Sequence, residues 1–221
     1  DKLLVSTLTQ VFSTSITGPA GLETFFKYPA ASFIKDSHKD IWFSCWGRKS
    51  IYRIEASTGH LQNVLGEANG NGYNENFFRA SWVDKNDNIY FGTTGNLLFK
   101  IHATGNQKQP FSIQQIQLRS GNTKINTIFK LCPIDDETLL IGSSTGVYEY
   151  NLRTTKVKRF EGEIPAASPF NNSDVRSLMF DEEQILWVGT NGSGIFRYDV
   201  RNKKVQTFTS DFGLIDNSVY A

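Results

Sequence analysis

The sequence is poor in the residues that anchor metal centres, disulfide scaffolds and membrane spans. Its 221 residues include two cysteines, three histidines, one methionine and six prolines. By the repeat described below, Cys45 and Cys132 fall in units that are not neighbours. A disulfide needs Cα atoms within about 7 Å, so no intrachain bridge is expected. With only His38, His60 and His102 scattered beside them, the cysteines make no zinc spacing, and neither a metal nor a cofactor is expected. No apolar run approaches the roughly 18 residues of a membrane span, so no direct membrane contact is expected of this chain. An excess of one charge is missing too: 23 Lys and Arg face 22 Asp and Glu, for a net charge of +1. That balance gives no electrostatic footprint for nucleic acid. No signal peptide is visible, but the chain starts in mid-strand, which says nothing about compartment. What is present is 39% hydrophobic and 13% aromatic content, enough for one packed domain.

The most informative stretch is 185–198. Ile185-Leu186-Trp187-Val188 is a short apolar run without polar alternation, as in a strand buried on both faces. Gly189-Thr190 ends it, and Asn191-Gly192-Ser193-Gly194 is a turn cluster suited to a tight hairpin. Ile195–Tyr198 returns, Asp199–Asn202 turns again, and Lys203–Phe208 supplies a third strand. Upstream, Val175–Phe180 adds a fourth, closed by Asp181-Glu182-Glu183. The prediction is a meander of four antiparallel strands.

This meander recurs. Trp187-Val188-Gly189-Thr190 matches Leu140-Ile141-Gly142-Ser143, Tyr90-Phe91-Gly92-Thr93 and Trp42-Phe43-Ser44-Cys45, at intervals of 47 (140 to 187), 50 (90 to 140) and 48 residues (42 to 90). Asp36, Asp84 and Asp181 open equivalent turns. A period of about 40–50 residues with four strands per unit is the signature of a β-propeller. The fold class read from this is all-β, a β-propeller of about five four-stranded antiparallel blades. Units run over 30–77, 78–124, 125–174 and 175–216. Residues 1–29 supply three strands of a further blade, and 217–221 resembles the start of its missing innermost strand. The ends suit a closed five-blade ring; an arc of a larger propeller is the alternative. Lys27, Lys156, Lys158, Arg159, Lys203 and Lys204 lie on outer strands, where charge protects exposed edges.

Residues Leu186–Thr190, Gly194–Asp199, Gly213-Leu214 and Asn217–Val219 together resemble the two-component regulator propeller repeat. The likeness is close over Ile185–Ala221, fair over 125–157 and degraded over 78–105 and 30–59. It implies a non-catalytic, periplasmic sensor region of a hybrid two-component regulator, of the kind that controls glycan use in gut Bacteroidetes. Such regions usually hold two seven-bladed propellers, followed by a small β-sandwich, a membrane helix and a histidine kinase; with too few blades and none of the later parts, this chain is expected to be a fragment of such a region or a reduced relative. Gly66–Asn76 with Phe77-Phe78 and Asp87–Tyr90 is also similar to an NHL-type propeller repeat.

Propellers bind ligands at the channel mouths, near the start of each inner strand and the hairpin after the second strand. At that hairpin the second unit has Ser44-Cys45-Trp46-Gly47-Arg48-Lys49. Trp46 beside Arg48 suits a sugar ring, which pairs apolar C–H faces with hydroxyls; the plainer reading is that Trp46 packs on the next blade. The loop 69–76 offers Tyr73, Asn74 and Asn76 as polar contacts, or merely satisfies a tight turn. Asn171 and Asn172 hold the corresponding place in the last unit, and Asn191 lies in its hairpin. Arg79 and Arg176 fall one residue into their inner strands and are expected to face the channel. Asp84–Asn88 lacks the Gly and distal Glu of an EF-hand and reads as an ordinary turn. No nucleophile motif, phosphate loop or clustered acid–base pair appears, so no catalytic residue is expected. The expected function is carbohydrate sensing by a propeller. A protein–protein or homodimer scaffold is the alternative.

Overall fold

The computed structural model describes residues 2–7, 10–15, 23–66, 77–160 and 169–220. It divides into two compact units, 1–79 and 80–221. The first holds a three-stranded sheet of β1 (Lys2–Ser6), β2 (Val11–Ser15) and β3 (Glu23–Phe26), and a four-stranded sheet of β4 (Ala30–Lys35), β5 (Ile41–Cys45), β6 (Ile51–Ile54) and β7 (Leu61–Leu65). In the second, β8 (Phe78–Val83), whose first two residues close the first unit, orders with β9 (Ile89–Thr93), β10 (Leu97–Ala103) and β11 (Phe111–Gln117). Two more four-stranded sheets follow: β14 (Ile128–Pro133), β15 (Thr138–Ser143), β16 (Gly146–Asn151) and β17 (Val157–Arg159), then β18 (Val175–Phe180), β19 (Ile185–Thr190), β20 (Ile195–Asp199) and β21 (Lys204–Phe208). Each is a meander in sequence order, the antiparallel pattern the repeat predicts. The second strand of each meander is the most buried: all five residues of β9 are buried, as are five of six in β15. Both faces of such a strand meet protein, which is why its sequence reads as a continuous apolar run.

Three recurring devices explain the repeat motif. The first is the turn aspartate. Asp181 Oδ1 accepts the Ile185 N–H at 2.9 Å, and its Oδ2 accepts the Trp187 indole N–H at 2.9 Å. Asp36 does the same for Asp40 N–H and Trp42, at 2.9 and 2.8 Å. Asp84 takes Asn88 N–H at 2.9 Å and the Tyr90 hydroxyl at 3.3 Å. Where the aromatic gives way to Leu140, the carboxylate moves one place to Asp135 and caps only backbone, the N–H groups of Glu137 and Thr138.

The second device is a hydroxyl at the end of the second strand. Thr190 donates to the Gly194 carbonyl at 2.8 Å, Ser143 to Gly146 at 2.9 Å and Thr93 to Leu97 at 2.9 Å, each tying its hairpin shut.

The third is the small residue just before that hydroxyl, which seats the following inner strand. A Cβ on Gly92 would lie 2.4 Å from Ile128 Cγ2, one on Gly142 3.0 Å from Val175 Cγ1, and one on Gly189 3.1 Å from Val219 Cγ1. In the first unit the seat is a serine. Ser6 Oγ donates to the Ala30 carbonyl at 3.2 Å and accepts the Ala30 N–H at 2.9 Å, and Ser44 Oγ donates to the Phe78 carbonyl at 3.3 Å.

Packing follows these seats. In the first unit Phe43, Cys45 and Ile54 form a buried cluster, with Phe26, Phe33 and Tyr52 against it. In the second, one cluster gathers Tyr90, Leu98, Ile128, Ile141, Tyr148 and Tyr150, and another gathers Leu140, Phe170, Val175, Val188, Phe196 and Tyr198.

Two features differ from the sequence reading. A two-stranded ribbon, β12 (Arg119–Ser120) with β13 (Thr123–Lys124), precedes β14; its hairpin lacks the apolar run that marks the other strands. Residues 217–220 form no strand. The Asn217 carbonyl accepts Gly192 and Gly194 N–H, and Val219 N–H donates to Thr190 O at 2.7 Å. The Ser218 N–H is taken by Asp216 Oδ1 at 2.6 Å, a local turn bond that competes with ladder formation. Among the described residues no helix is long and apolar enough to cross a membrane.

Candidate functional site

Each inner strand whose pairing can be followed carries a β-bulge at its second residue. The register of β4 against β5 skips between Ala30 and Ser32, that of β14 against β15 between Ile128 and Lys130, and that of β18 against β19 between Val175 and Ser177. The unpaired residues are therefore Ala31, Phe129 and Arg176. A bulge bends the strand and re-aims the side chain it carries, which is why bulges gather beside functional sites.

In the second unit this produces a row. Ile128, Val175 and Val219 are the residues that press on the seat glycines, so Phe129, Arg176 and Tyr220 hold the same repeat position. They meet: the Arg176 guanidinium carbon lies 3.9 Å from the Phe129 ring centroid and 5.6 Å from that of Tyr220. A guanidinium over an aromatic face contributes about 0.5–2 kcal/mol, depending on desolvation. Asp174 Oδ2 binds Arg176 Nη2 and accepts the Asn191 amide at 3.2 Å. Asn191 Oδ1 accepts the Tyr220 hydroxyl at 3.0 Å, and Asn191 N–H donates to the Asp174 carbonyl at 2.8 Å. Tyr220 is 60% exposed. The Arg176 and Asp174 side chains keep 21% and 26% exposure, so the row opens to solvent at a polar rim.

The first unit has a related pair. Arg79, second residue of β8, places its guanidinium 4.2 Å from the Trp46 ring centroid. Trp46 is 45% exposed, and its backbone N–H donates to the Pro29 carbonyl at 2.9 Å. Arg48 does not join this pair. Its guanidinium lies 3.9 Å over the Tyr28 ring and bonds the Tyr28 hydroxyl. Its position two residues past Trp46, beyond the left-handed Gly47, turns it toward that ring.

Of the other sequence candidates, Asn172 ends a 3-10 turn, Pro169–Asn172, and accepts a bond from Arg159 Nη1 at 3.4 Å. The side chain of Asn171 and all of Tyr73, Asn74 and Asn76 lie outside the described residues. The sequence candidates do not include Phe129 or Tyr220, and they reach Asp174 only as the last residue of the 171–174 loop. The period marks Phe129 and Tyr220, since they fall 47 residues before (129 to 176) and 44 after (176 to 220) Arg176.

Burial perturbs several titrating groups in the core. Burial pushes the Cys45 thiol up to about 12, against a smaller opposing effect of Arg48. Burial also pushes the Tyr150 phenol up to about 12, and it raises Tyr90 and Cys132. Among the described residues no group of three or more His, Cys, Asp or Glu could hold a metal ion. The rows offer hydrogen-bond donors, acceptors and aromatic faces, the chemistry of binding.

Comparison with known proteins bears on the fold and on the repeat. Residues 169–192 match the family described as two component regulator propeller. Histidine kinase P4 of Formosa agariphila is 29% identical over 138 residues, which are 60% of this chain and 9% of that protein. The chain thus spans a small part of this curated relative. Among solved structures, PorZ, a surface component of the type-IX secretion system of Porphyromonas gingivalis, is similar at a TM-score of 0.72 and 15% identity, over 99% of this chain and 34% of that one. A virginiamycin B lyase from Staphylococcus aureus gives 0.64 at 13% identity, over 94% and 73% of the two chains. The extracellular domain of a putative hybrid two-component system from Bacteroides thetaiotaomicron gives 0.53 at 17%, over 98% and 34%. Likenesses this distant establish architecture, and one architecture here serves a secretion component, a lyase and a signalling protein. The sequence match and the meander agree on one conclusion: this is an all-β propeller chain that carries the two-component regulator propeller repeat.

Proposed function

We propose that this chain is part of the ligand-sensing propeller of a hybrid two-component signalling protein, outside the cytoplasm, and that its ligand is a carbohydrate. The observation that carries the reading is the regulator-propeller repeat at 169–192, which includes both Asp174 and Asn191 of the Arg176 rim. A sugar presents an apolar C–H face and a ring of hydroxyls. Aromatic faces beside forked donors and amides, as at Trp46 with Arg79 and at Tyr220 with Asn191, suit both. Catalysis is not assigned to this chain; the kinase belongs elsewhere in the parent protein. The test is calorimetry of the 221-residue chain against a broad oligosaccharide panel. Saturable binding to one class supports the reading, and heat from none of them sinks it.

A second reading has its own observation. Phe212 is 78% exposed and Ile215 fully exposed, both on the segment after β21. Large apolar side chains so placed suit a protein partner or a second copy of the chain. Light scattering decides: a dimer dispersed by Phe212→Ser with Ile215→Ser favours this scaffold role, and a monomer excludes the homodimer.

A further inference from the structure

The Arg176 rim has a donor–acceptor balance that selects between neutral and acidic ligands. Asp174 spends one carboxylate oxygen, Oδ2, on both Arg176 Nη2 and Asn191 Nδ2. Its other oxygen, Oδ1, has no hydrogen-bond partner, and neither does Arg176 Nε; both atoms are buried. One is a bare acceptor and the other a bare donor. An anion meets only half of this need. It accepts from Nε, but it brings a second negative charge against the carboxylate that already neutralises the guanidinium. A hydroxyl meets both halves, donating to Asp174 Oδ1 while it accepts from Arg176 Nε. The Phe129 and Tyr220 rings flanking the guanidinium add apolar faces and no charge.

Resting on the carbohydrate reading above, we infer that the Phe129–Arg176–Tyr220 row is a subsite for a neutral polyhydroxylated ligand, with Asp174 as the residue that excludes acidic sugars. Specificity of this kind comes from what the site repels as much as from what it attracts. An arginine at a rim ordinarily recruits carboxylates; here its partner is supplied from two residues upstream in the same strand approach.

The experiment is calorimetry on the 221-residue chain with neutral malto-, cello- and xylo-oligosaccharides and with oligogalacturonate, for wild type, Asp174→Asn and Tyr220→Leu. Wild type is expected to bind a neutral probe and not oligogalacturonate. Asp174→Asn preserves shape and removes the charge; it is expected to weaken the neutral probe about tenfold, as for loss of one hydrogen bond to a charged group, and to admit oligogalacturonate. Tyr220→Leu, at a position 60% exposed, is expected to weaken the neutral probe at a temperature where the variant is still fully folded by its melting curve. Preference of the wild type for oligogalacturonate overturns the inference and leaves carbohydrate sensing standing. So does neutral binding that neither variant alters. Absence of binding to any sugar overturns both readings.

Discussion

The Trp187 indole N–H donates to Asp181 Oδ2 at 2.9 Å across the turn that joins the first two strands of its sheet. This bond is the chief reason the Asp181 carboxyl is held below the ordinary carboxylate range, with the Ile185 N–H adding to it. Asp199 is lowered likewise, first by the Asn202 side chain. Carboxyls depressed in the folded state bind fewer protons there than when unfolded. Their stabilisation is complete above about pH 4, the unfolded value, and is lost as pH falls through the folded values. Trp187→Phe keeps a ring and removes the donor. Its melting temperature is expected to lie below wild type at neutral pH, with the gap narrowing as the pH drops below about 4. A gap independent of pH would assign the loss to packing alone.

Seat glycines should rank by crowding. Gly92→Ala drives a methyl to 2.4 Å from Ile128 Cγ2, whereas in Gly142→Ala the nearest atom is Val175 Cγ1 at 3.0 Å. Overpacking a core of this kind costs about 1–3 kcal/mol, so Gly92→Ala is expected near the upper end and Gly142→Ala near the lower. Urea midpoints measure both, and equal losses would refute the ranking.

Asp40 is a buried carboxylate in the first unit, 5% exposed, that accepts Arg53 Nε and the Ala56 N–H, each at 2.7 Å. Arg53→Ala removes the charge partner and leaves the carboxylate buried, at an expected cost of about 3 kcal/mol. Arg53→Lys restores charge without the fork and should recover only part of it. Denaturant unfolding of the two variants checks the order.

Cys45 and Cys132 are free thiols in the core. With the Cys45 thiol pushed up to about 12 by burial, its thiolate is scarce at neutral pH. An aromatic disulfide reagent should label neither cysteine in the native chain and both on unfolding. Fast native labelling of Cys45 would show that its surroundings open.

Much of this fold was legible because its devices are local. The turn aspartate reaches an aromatic six residues on, in Asp36 with Trp42, Asp84 with Tyr90 and Asp181 with Trp187, so sequence spacing reports the contact directly. The four-strand meander follows from those turns. The site was only half legible. The repeat marks the strand starts and hairpins that hold Arg176, Asn191, Trp46 and Arg79; in the structure Asp174 links Arg176 to Asn191, and Arg79, not the adjacent Arg48, lies over Trp46. Arg48 and Asn172 went elsewhere, since one glycine in the left-handed region and one 3-10 turn redirect them. Phe129 escaped notice for a different reason. In a strand read with a period of two, an aromatic counts as core, and the bulge that turns it toward Arg176 leaves no mark in the composition.

The seats described between successive sheets come in two chemistries. Ser6 and Ser44 hold the following strand by its backbone, while Gly92, Gly142 and Gly189 hold it by the methyls of Ile128, Val175 and Val219. Repeats that look interchangeable in sequence are therefore keyed to their successors. Splicing the meander whose second strand carries Ser44 ahead of Val175 would put a hydroxyl where a methyl needs bare space. Splicing the one whose second strand carries Gly142 ahead of Phe78 would leave that carbonyl without its donor. The order of the repeats is thus written into the joints, and a shuffled chain of the same parts would not assemble equally well.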